Sequence, residues 1–184
     1  MERTFRRSGW RIDVRVAEGI VLPIARGRLA TAVARALDAA GAPRPGMVGL
    51  ILTGDRAIAT LNRRHMGHRG PTDVLSFPLL DPADFPAHDG EPPGRRAAAG
   101  RGRFVPPPTG RTDLGEIVVS VERAIEQAGS GRGGQTGDVR STASMELRLL
   151  VTHGALHLCG WDHAEAAEET AMRALERRLL ARAD

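Results

Sequence analysis

The sequence H-G-A-L-H-L-C-G-W-D-H, residues 153–163, contains three of the six histidines of the chain: His153, His157 and His163. The periodic leucine, valine and methionine residues around it predict a helix over Leu147–Leu158. In a helix, His153 and His157 are four residues apart and project from one face. The spacing therefore predicts that this pair can hold one metal ion.

Gly160 adds the turn that this arrangement needs. Glycine tolerates the left-handed conformation in which many helices end, so the chain can reverse and bring His163 to the same point. Three neutral imidazoles leave one tetrahedral position open, which is typical of a catalytic zinc rather than a structural one. Nickel, copper and iron also accept three imidazoles. We therefore predict one metal ion per chain and favour zinc, the alternative being a helix that is merely rich in histidine.

The metzincin proteases share this spacing, with the pattern H-E-x-x-H-x-x-G-x-x-H. In those enzymes the glutamate takes a proton from water at the zinc, whereas this chain has Gly154 at that position. Any base must therefore come from elsewhere in the fold or from the substrate. A metalloprotease is the least favoured of the functions considered.

Two further segments are predicted to be short strands. They are P-T-D-V-L-S-F-P, residues 71–78, and L-G-E-I-V-V-S, residues 114–120, both apolar and rich in β-branched residues. With the histidine stretch, they closely resemble the YbeY family of bacterial endoribonucleases, also called ribosomal RNA maturation factors. That family has P-T-D-V-L-S-F-P, L-G-E-I and H-G-x-L-H-L-x-G-x-D-H in the same order. The resemblance spans about Leu61 to His163 and extends more loosely toward both ends.

The resemblance implies a zinc ion bound by His153, His157 and His163. It further implies an endoribonuclease that cuts RNA of single-stranded type, in maturation of the 3′ end of small-subunit ribosomal RNA and in ribosome quality control. Its partners would be ribosomal RNA and the small ribosomal subunit, with no DNA expected. The second function considered is a ribosome-associated assembly or RNA-binding factor with a mainly structural metal and little cleavage.

Asp73 and Glu116 are the candidate catalytic carboxylates, because each lies beside a predicted strand in a family block. A carboxylate there can hydrogen-bond a ligand histidine and fix its tautomer, or accept a proton from a metal-bound water. The alternative is a turn or capping role, which is the commoner fate of an aspartate after Pro-Thr.

Arginines near residue 66 are the candidate RNA-binding residues. The family usually has an arginine in a Tyr-Arg-Gly-Lys stretch, but the aligned residues 65–68 read H-M-G-H, with Met66 in its place. Arg63, Arg64 and Arg69 are close in sequence, and a guanidinium can hold a phosphate with two hydrogen bonds. The alternative is that they are solvated surface residues.

Composition indicates the setting. The 26 basic residues are all arginine, and against 22 acidic residues they give a net charge of +4. This small excess predicts only moderate attraction to nucleic acid, and 3% aromatic residues disfavour recognition by base stacking. The single Cys159 cannot form an internal disulfide, and no stretch resembles a signal peptide or a membrane span. These features predict a cytoplasmic protein.

The predicted elements favour one α+β domain over residues 1–184, a small mixed β-sheet covered by helices, with a C-terminal metal-binding helix. Residues 81–112 are rich in proline, glycine and arginine and lack a period, which predicts a flexible insertion within that domain. Thr53 is predicted to cap a following helix. The remaining predictions are strands at Trp10–Val16 and Met47–Leu52 and helices at Gly27–Ala40, Arg56–His65, Ser144–Cys159 and Ala164–Ala183.

Overall fold

The computed structural model describes residues 2–92, 110–130 and 142–181. In these ranges five strands form one sheet in the order β1-β2-β3-β5-β4. Strands β2, β3 and β5 run parallel, whereas the outer strands β1 and β4 each pair antiparallel with their neighbour. The sheet is therefore mixed, and β4 is one of its edges. The strands are β1 (Glu2–Arg7), β2 (Trp10–Val16), β3 (Gly46–Thr53), β4 (Val74–Pro78) and β5 (Thr112–Ser120).

Helix α4 is the central helix of the domain. It packs against β4, β5 and the helices α1, α3 and α5, and it is buried over most of its surface because its side chains are apolar nearly all round. Helix α2 packs instead on the opposite face of the sheet, where Ile58 meets Leu75 and Val118. The helices are α1 (Arg26–Ala39), α2 (Asp55–His65), α3 (Val121–Ser130), α4 (Ala143–Leu158) and α5 (Ala166–Leu180).

The two faces of the sheet have different surroundings, and this decides which residues can reach α4. On β5, Ile117 belongs to the large core that includes α4, while Val118 packs with the small cluster under α2. Glu116 is exposed on the α2 side of the sheet, beside Gly49. Because side chains alternate along β5, Glu116 lies on the face of the sheet opposite α4.

The predicted α+β fold with a mixed sheet and a C-terminal histidine-bearing helix is confirmed. Strand β1 was not predicted, because its charged sequence has no apolar alternation. It forms by pairing with β2 across a tight turn at Ser8 and Gly9, whose φ values are 46° and 90°. None of the helices in the described ranges is long and apolar enough to cross a membrane.

The predicted cap by Thr53 is wrong. Thr53 is the buried last residue of β3, and the residue that caps α2 is Gly54, which offers no side chain. The Asp55 amide donates instead to Glu122 Oε2 of α3, at 2.6 Å. A carboxylate from another helix therefore takes the place of the local cap.

The predicted flexible insertion at residues 81–112 stays a prediction as a whole. Its beginning forms a 3₁₀ turn at Pro82–Asp84 with Asp81 as cap, after which Phe85 is 3% exposed in the core. A Cβ at Gly90 would lie 2.6 Å from the backbone oxygen of Ala167, so the chain still follows the domain surface there. We call residues 80–92 the strap; residues 93–109 lie outside the described ranges.

Candidate metal centre

The three histidines of the predicted site come from the end of α4 and the loop after it. His153 and His157 lie on the last turns of α4, and Gly160 has a φ of 81°, in the left-handed region. The Gly160 amide donates to the carbonyl oxygen of His157 at 3.1 Å, which closes the helix end. The chain then turns back, and His163 returns to the other two imidazoles.

The imidazoles converge on one point. One nitrogen of each ring lies within 4.8 Å of those of the other two, and the Nε2 atoms of His153 and His157 are 2.9 Å apart. Nitrogen ligands about 2.0–2.1 Å from a tetrahedral zinc lie about 3.3 Å from each other. The observed spacing brackets this value, so the three side chains fit a single metal ion of this size.

The three histidines differ in how deeply they are buried. His153 is 3% exposed, His157 is half-buried and His163 is exposed, so the centre opens on one side. Burial first, and then the neighbouring His153 and His163, lower the pKa of His157 from 6.5 to about 4. The His157 imidazole is therefore neutral at pH 7, which is the form that binds a metal.

A buried carboxylate holds His153 from behind. Glu176 on α5 is fully buried, and its Oε1 accepts a hydrogen bond from His153 Nδ1 at 2.7 Å. A proton on Nδ1 leaves the lone pair on Nε2, which points at the metal position. Glu176 was not predicted from the sequence. The feature that could have indicated it is an acidic residue on the apolar stripe of the last helix, beside Met172, Leu175 and Leu179.

Glycine at position 154 has a packing explanation. A Cβ there would lie 2.6 Å from Ile117 Cγ2 and 3.1 Å from Val74 Cγ2. The Ser76 hydroxyl also donates to the Gly154 carbonyl oxygen at 3.0 Å. The helix thus presses directly on β4 and β5, and no side chain, and hence no glutamate base, has room at this position.

Of the two candidate carboxylates, the structure brings one to the histidines. Asp73 lines a cleft that also contains the three histidines. Its Oδ1 accepts a hydrogen bond from the Val74 amide at 2.9 Å, and its Oδ2 accepts one from Gln127 Nε2 at 3.1 Å. Glu116 lies on the opposite face of the sheet, so the predicted hydrogen bond between Glu116 and a ligand histidine is not formed. That contact belongs to Glu176 instead.

The cleft has a volume of about 460 Å³ and runs along the edge strand β4. Met66, which is 44% exposed, lines it and gives it an apolar thioether, at the position where the family motif usually has an arginine. Arg63 and Arg69 line a separate cleft of about 400 Å³, and Arg64 is exposed on α2. These three arginines are therefore not among the residues that line the histidine cleft.

Cys159 directly follows α4 and is not a fourth ligand. The side chain is 1% exposed within the apolar core. Burial raises the pKa of its thiol to about 12. Metals bind the thiolate, so a thiol held neutral in the core leaves the centre with nitrogen donors.

The geometry defines a class of protein: an α+β domain with three clustered histidines that can hold a metal ion, open to a cleft at the edge of its sheet. The family model described as Endoribonuclease YbeY matches residues 23–184, and the chain belongs to this family. This confirms the resemblance found in the sequence motifs.

Relatives with the same description come from several bacteria. Endoribonuclease YbeY of Salinispora tropica is 43% identical over 151 residues, which cover 82% of this chain and 83% of that protein. The protein from Symbiobacterium thermophilum is 36% identical, over 80% of this chain and 79% of its own. The protein from Mycolicibacterium vanbaalenii is 40% identical over 72% of this chain, and the match spans 59% of its longer sequence.

Proposed function

We propose that this chain is a cytoplasmic, zinc-dependent endoribonuclease that acts on RNA of single-stranded type. Its substrate is ribosomal RNA, at the 3′ end of the small-subunit RNA, and its work is ribosome maturation and quality control. Membership of the endoribonuclease family supports the reaction. The observation that carries the metal dependence is the convergence of His153, His157 and His163 beside an open cleft.

The three histidines would hold the zinc ion through their ring nitrogens. Zinc bound in this way supplies a Lewis acid that neutralises charge on a phosphoryl oxygen and makes water more acidic. Glu176 keeps His153 in the ligand tautomer, while the exposed side of His163 leaves room for a substrate phosphate. The fold thus provides both a fixed donor set and an approach to it.

Asp73 is the proposed proton acceptor. Among the residues that line the histidine cleft it is the carboxylate, and its side chain is held in place by Gln127 and by the Val74 amide. An oriented carboxylate beside an acidified water is suited to general base catalysis. The hydroxyls of Thr72 and Ser76 line the same cleft, where Thr72 donates to Asp73 Oδ1 and Ser76 to the Gly154 carbonyl oxygen, so both help to fix the wall of the cleft.

RNA is held by its backbone in this proposal. A second cleft has Arg63 and Arg69 with Thr60 on its wall, and these donors suit a backbone phosphate of the RNA. Because the chain has few aromatic side chains, it recognises the charge and shape of the RNA backbone and does not stack on its bases. RNA affinity should therefore fall steeply with salt.

The alternative, an assembly or RNA-binding factor with a mainly structural metal, is favoured by one observation. Met66 gives the histidine cleft an apolar wall, and no arginine is among the described residues that line it to stabilise charge on a cleaved phosphate. In that case the arginines bind RNA and the histidines only hold the loop after α4.

A cleavage assay separates the two functions. The purified protein should cut a single-stranded RNA that carries the 3′ end of small-subunit ribosomal RNA, lose activity when zinc is removed by a chelator, and regain it on zinc addition. His157→Ala should abolish cutting with RNA binding retained, while His68→Ala, at an exposed histidine outside the centre, should match the wild type. Tight RNA binding without cutting by any zinc-loaded preparation would favour the alternative.

A further inference from the structure

The loop that carries His163 is covered by the strap. A Cβ at Gly160 would lie 3.0 Å from Pro82 Cβ, so the start of the strap rests directly on the turn that ends α4. Further along, the His88 ring stacks on the Trp161 ring with centroids 4.0 Å apart and an angle of 12° between the planes. The strap therefore contacts the loop at two points, on either side of its buried Phe85.

A second carboxylate of α5 holds the same loop from below. Glu168 is fully buried, and its Oε1 accepts a hydrogen bond from the Asp162 amide at 3.2 Å. The same oxygen lies 3.7 Å from His88 Nε2, and the His88 side chain is itself only 8% exposed. His88 thus contacts both Trp161 and the carboxylate that binds the next residue of the loop.

We propose that His88 and Glu168 are positioning residues that fix the loop and so present His163 to the metal. The inference rests on the proposed metal centre. It follows from the burial gradient, because His163 is the exposed ligand and its backbone is not part of a helix. A loop that is already ordered loses less entropy when its side chain binds a metal, so zinc binds more tightly.

The test measures zinc affinity by competition with a chromophoric chelator, without RNA. His88→Ala should weaken zinc binding about tenfold, as removal of groups that orient metal ligands does elsewhere. His88→Phe restores a flat ring against Trp161 and should stay within about threefold of the wild type, while His88→Leu fills the space without a ring and should resemble His88→Ala. The absorption spectra of the cobalt-substituted protein report ligand geometry, and they should change in His88→Ala and His88→Leu but not in His88→Phe.

Glu168 is tested by a matched pair. Glu168→Gln keeps an acceptor for the Asp162 amide and should change zinc affinity less than about threefold, whereas Glu168→Leu lacks one and should weaken it about tenfold. His68→Ala is the control for loss of an exposed histidine. Thermal unfolding of each metal-free variant shows which of them fold.

Unchanged zinc affinity and cobalt spectra in folded His88→Ala would overturn the inference while leaving the metal centre intact. If His88→Ala does not fold, His88→Leu decides in the same way, and wild-type affinity in that variant also overturns it. A wild type that binds no zinc would contradict the proposed function, and the inference with it.

Discussion

The metal centre has two halves that are held in different ways. His153 lies in the core on α4 and is bonded to the buried Glu176, so the packing that stabilises the fold also orients this ligand. His163 is exposed on a loop, and neighbouring residues of that loop contact the strap and Glu168. If the three histidines hold one metal ion, one of its ligands is fixed by the core and another is carried by a loop that makes long-range contacts at the surface.

The largest expected effect comes from removing one ligand from each half. His153→Ala and His163→Ala should both lose zinc and RNA cleavage. Only His153→Ala leaves a buried carboxylate without its donor, which should lower the free energy of unfolding of the metal-free protein by about 3 kcal/mol. His163→Ala should lower it by less than about 1 kcal/mol. Urea unfolding measures both, and equal losses would erase the distinction between the halves.

The pH dependence of stability tests His157, which lies between the halves. Because folding lowers the pKa of His157 from 6.5 to about 4, the unfolded chain binds the extra proton at intermediate pH. The metal-free protein should therefore be most stable above pH 6.5 and lose about 3 kcal/mol as the pH falls to 4. His157→Gln should flatten this part of the curve. A wild-type curve as flat as that of the variant would contradict the burial argument.

Asp73 and Glu116 offer the same charge on opposite faces of the sheet. Asp73→Asn should lower the rate of RNA cleavage about 100-fold, because it removes the proposed proton acceptor from the cleft. Glu116→Gln should change the rate less than about twofold, since Glu116 lies behind the sheet. Initial rates at saturating RNA measure both variants. A greater loss in Glu116→Gln than in Asp73→Asn would reverse the assignment.

The Glu176 carboxylate is expected to hold His153, the ligand in the buried half of the centre. Glu176→Gln keeps the shape of the side chain but weakens its hold on His153, and zinc affinity should fall about 10-fold to 100-fold. Chelator competition measures the change, with Glu169→Gln on the outer face of α5 as the control. If zinc affinity were the same in both variants, the buried carboxylate would have no part in holding the ligand.

The smallest expected effect concerns the surface of the cleft. Met66→Arg adds a cation beside the histidines and should raise RNA affinity a few-fold, about 1 kcal/mol, with a salt dependence steeper by about one unit of slope. Met145→Arg adds the same charge at an exposed methionine on α4 and is the matched control. Equal gains in both variants would mean that net charge, and not the cleft, determines RNA affinity.

Local pattern was enough to predict much of this molecule. The spacing of His153 and His157, with Gly160 behind them, predicted their convergence with His163 because helix geometry and a glycine turn are local properties. The mixed sheet followed in the same way from alternating strands and helices.

The rest depended on contacts that no local pattern contains. Glu176 reaches His153 from 23 positions along the chain, and only the packing of α5 on α4 brings them together. The face on which Glu116 lies could not be predicted, because its neighbours Ile117 and Val118 are both buried and only the structure shows which layer each of them packs against. The order of the strap comes from the burial of Phe85, a residue surrounded by turn-forming sequence.

X-ray absorption at the zinc edge of the purified, zinc-loaded protein tests most directly whether three histidines bind the zinc. Three imidazole nitrogens and one open position predict a shell of nitrogen and oxygen scatterers at about 2.0–2.1 Å, with the outer-shell pattern of histidine rings. A sulfur scatterer at about 2.3 Å, or zinc surrounded only by oxygen, would contradict the three-histidine centre.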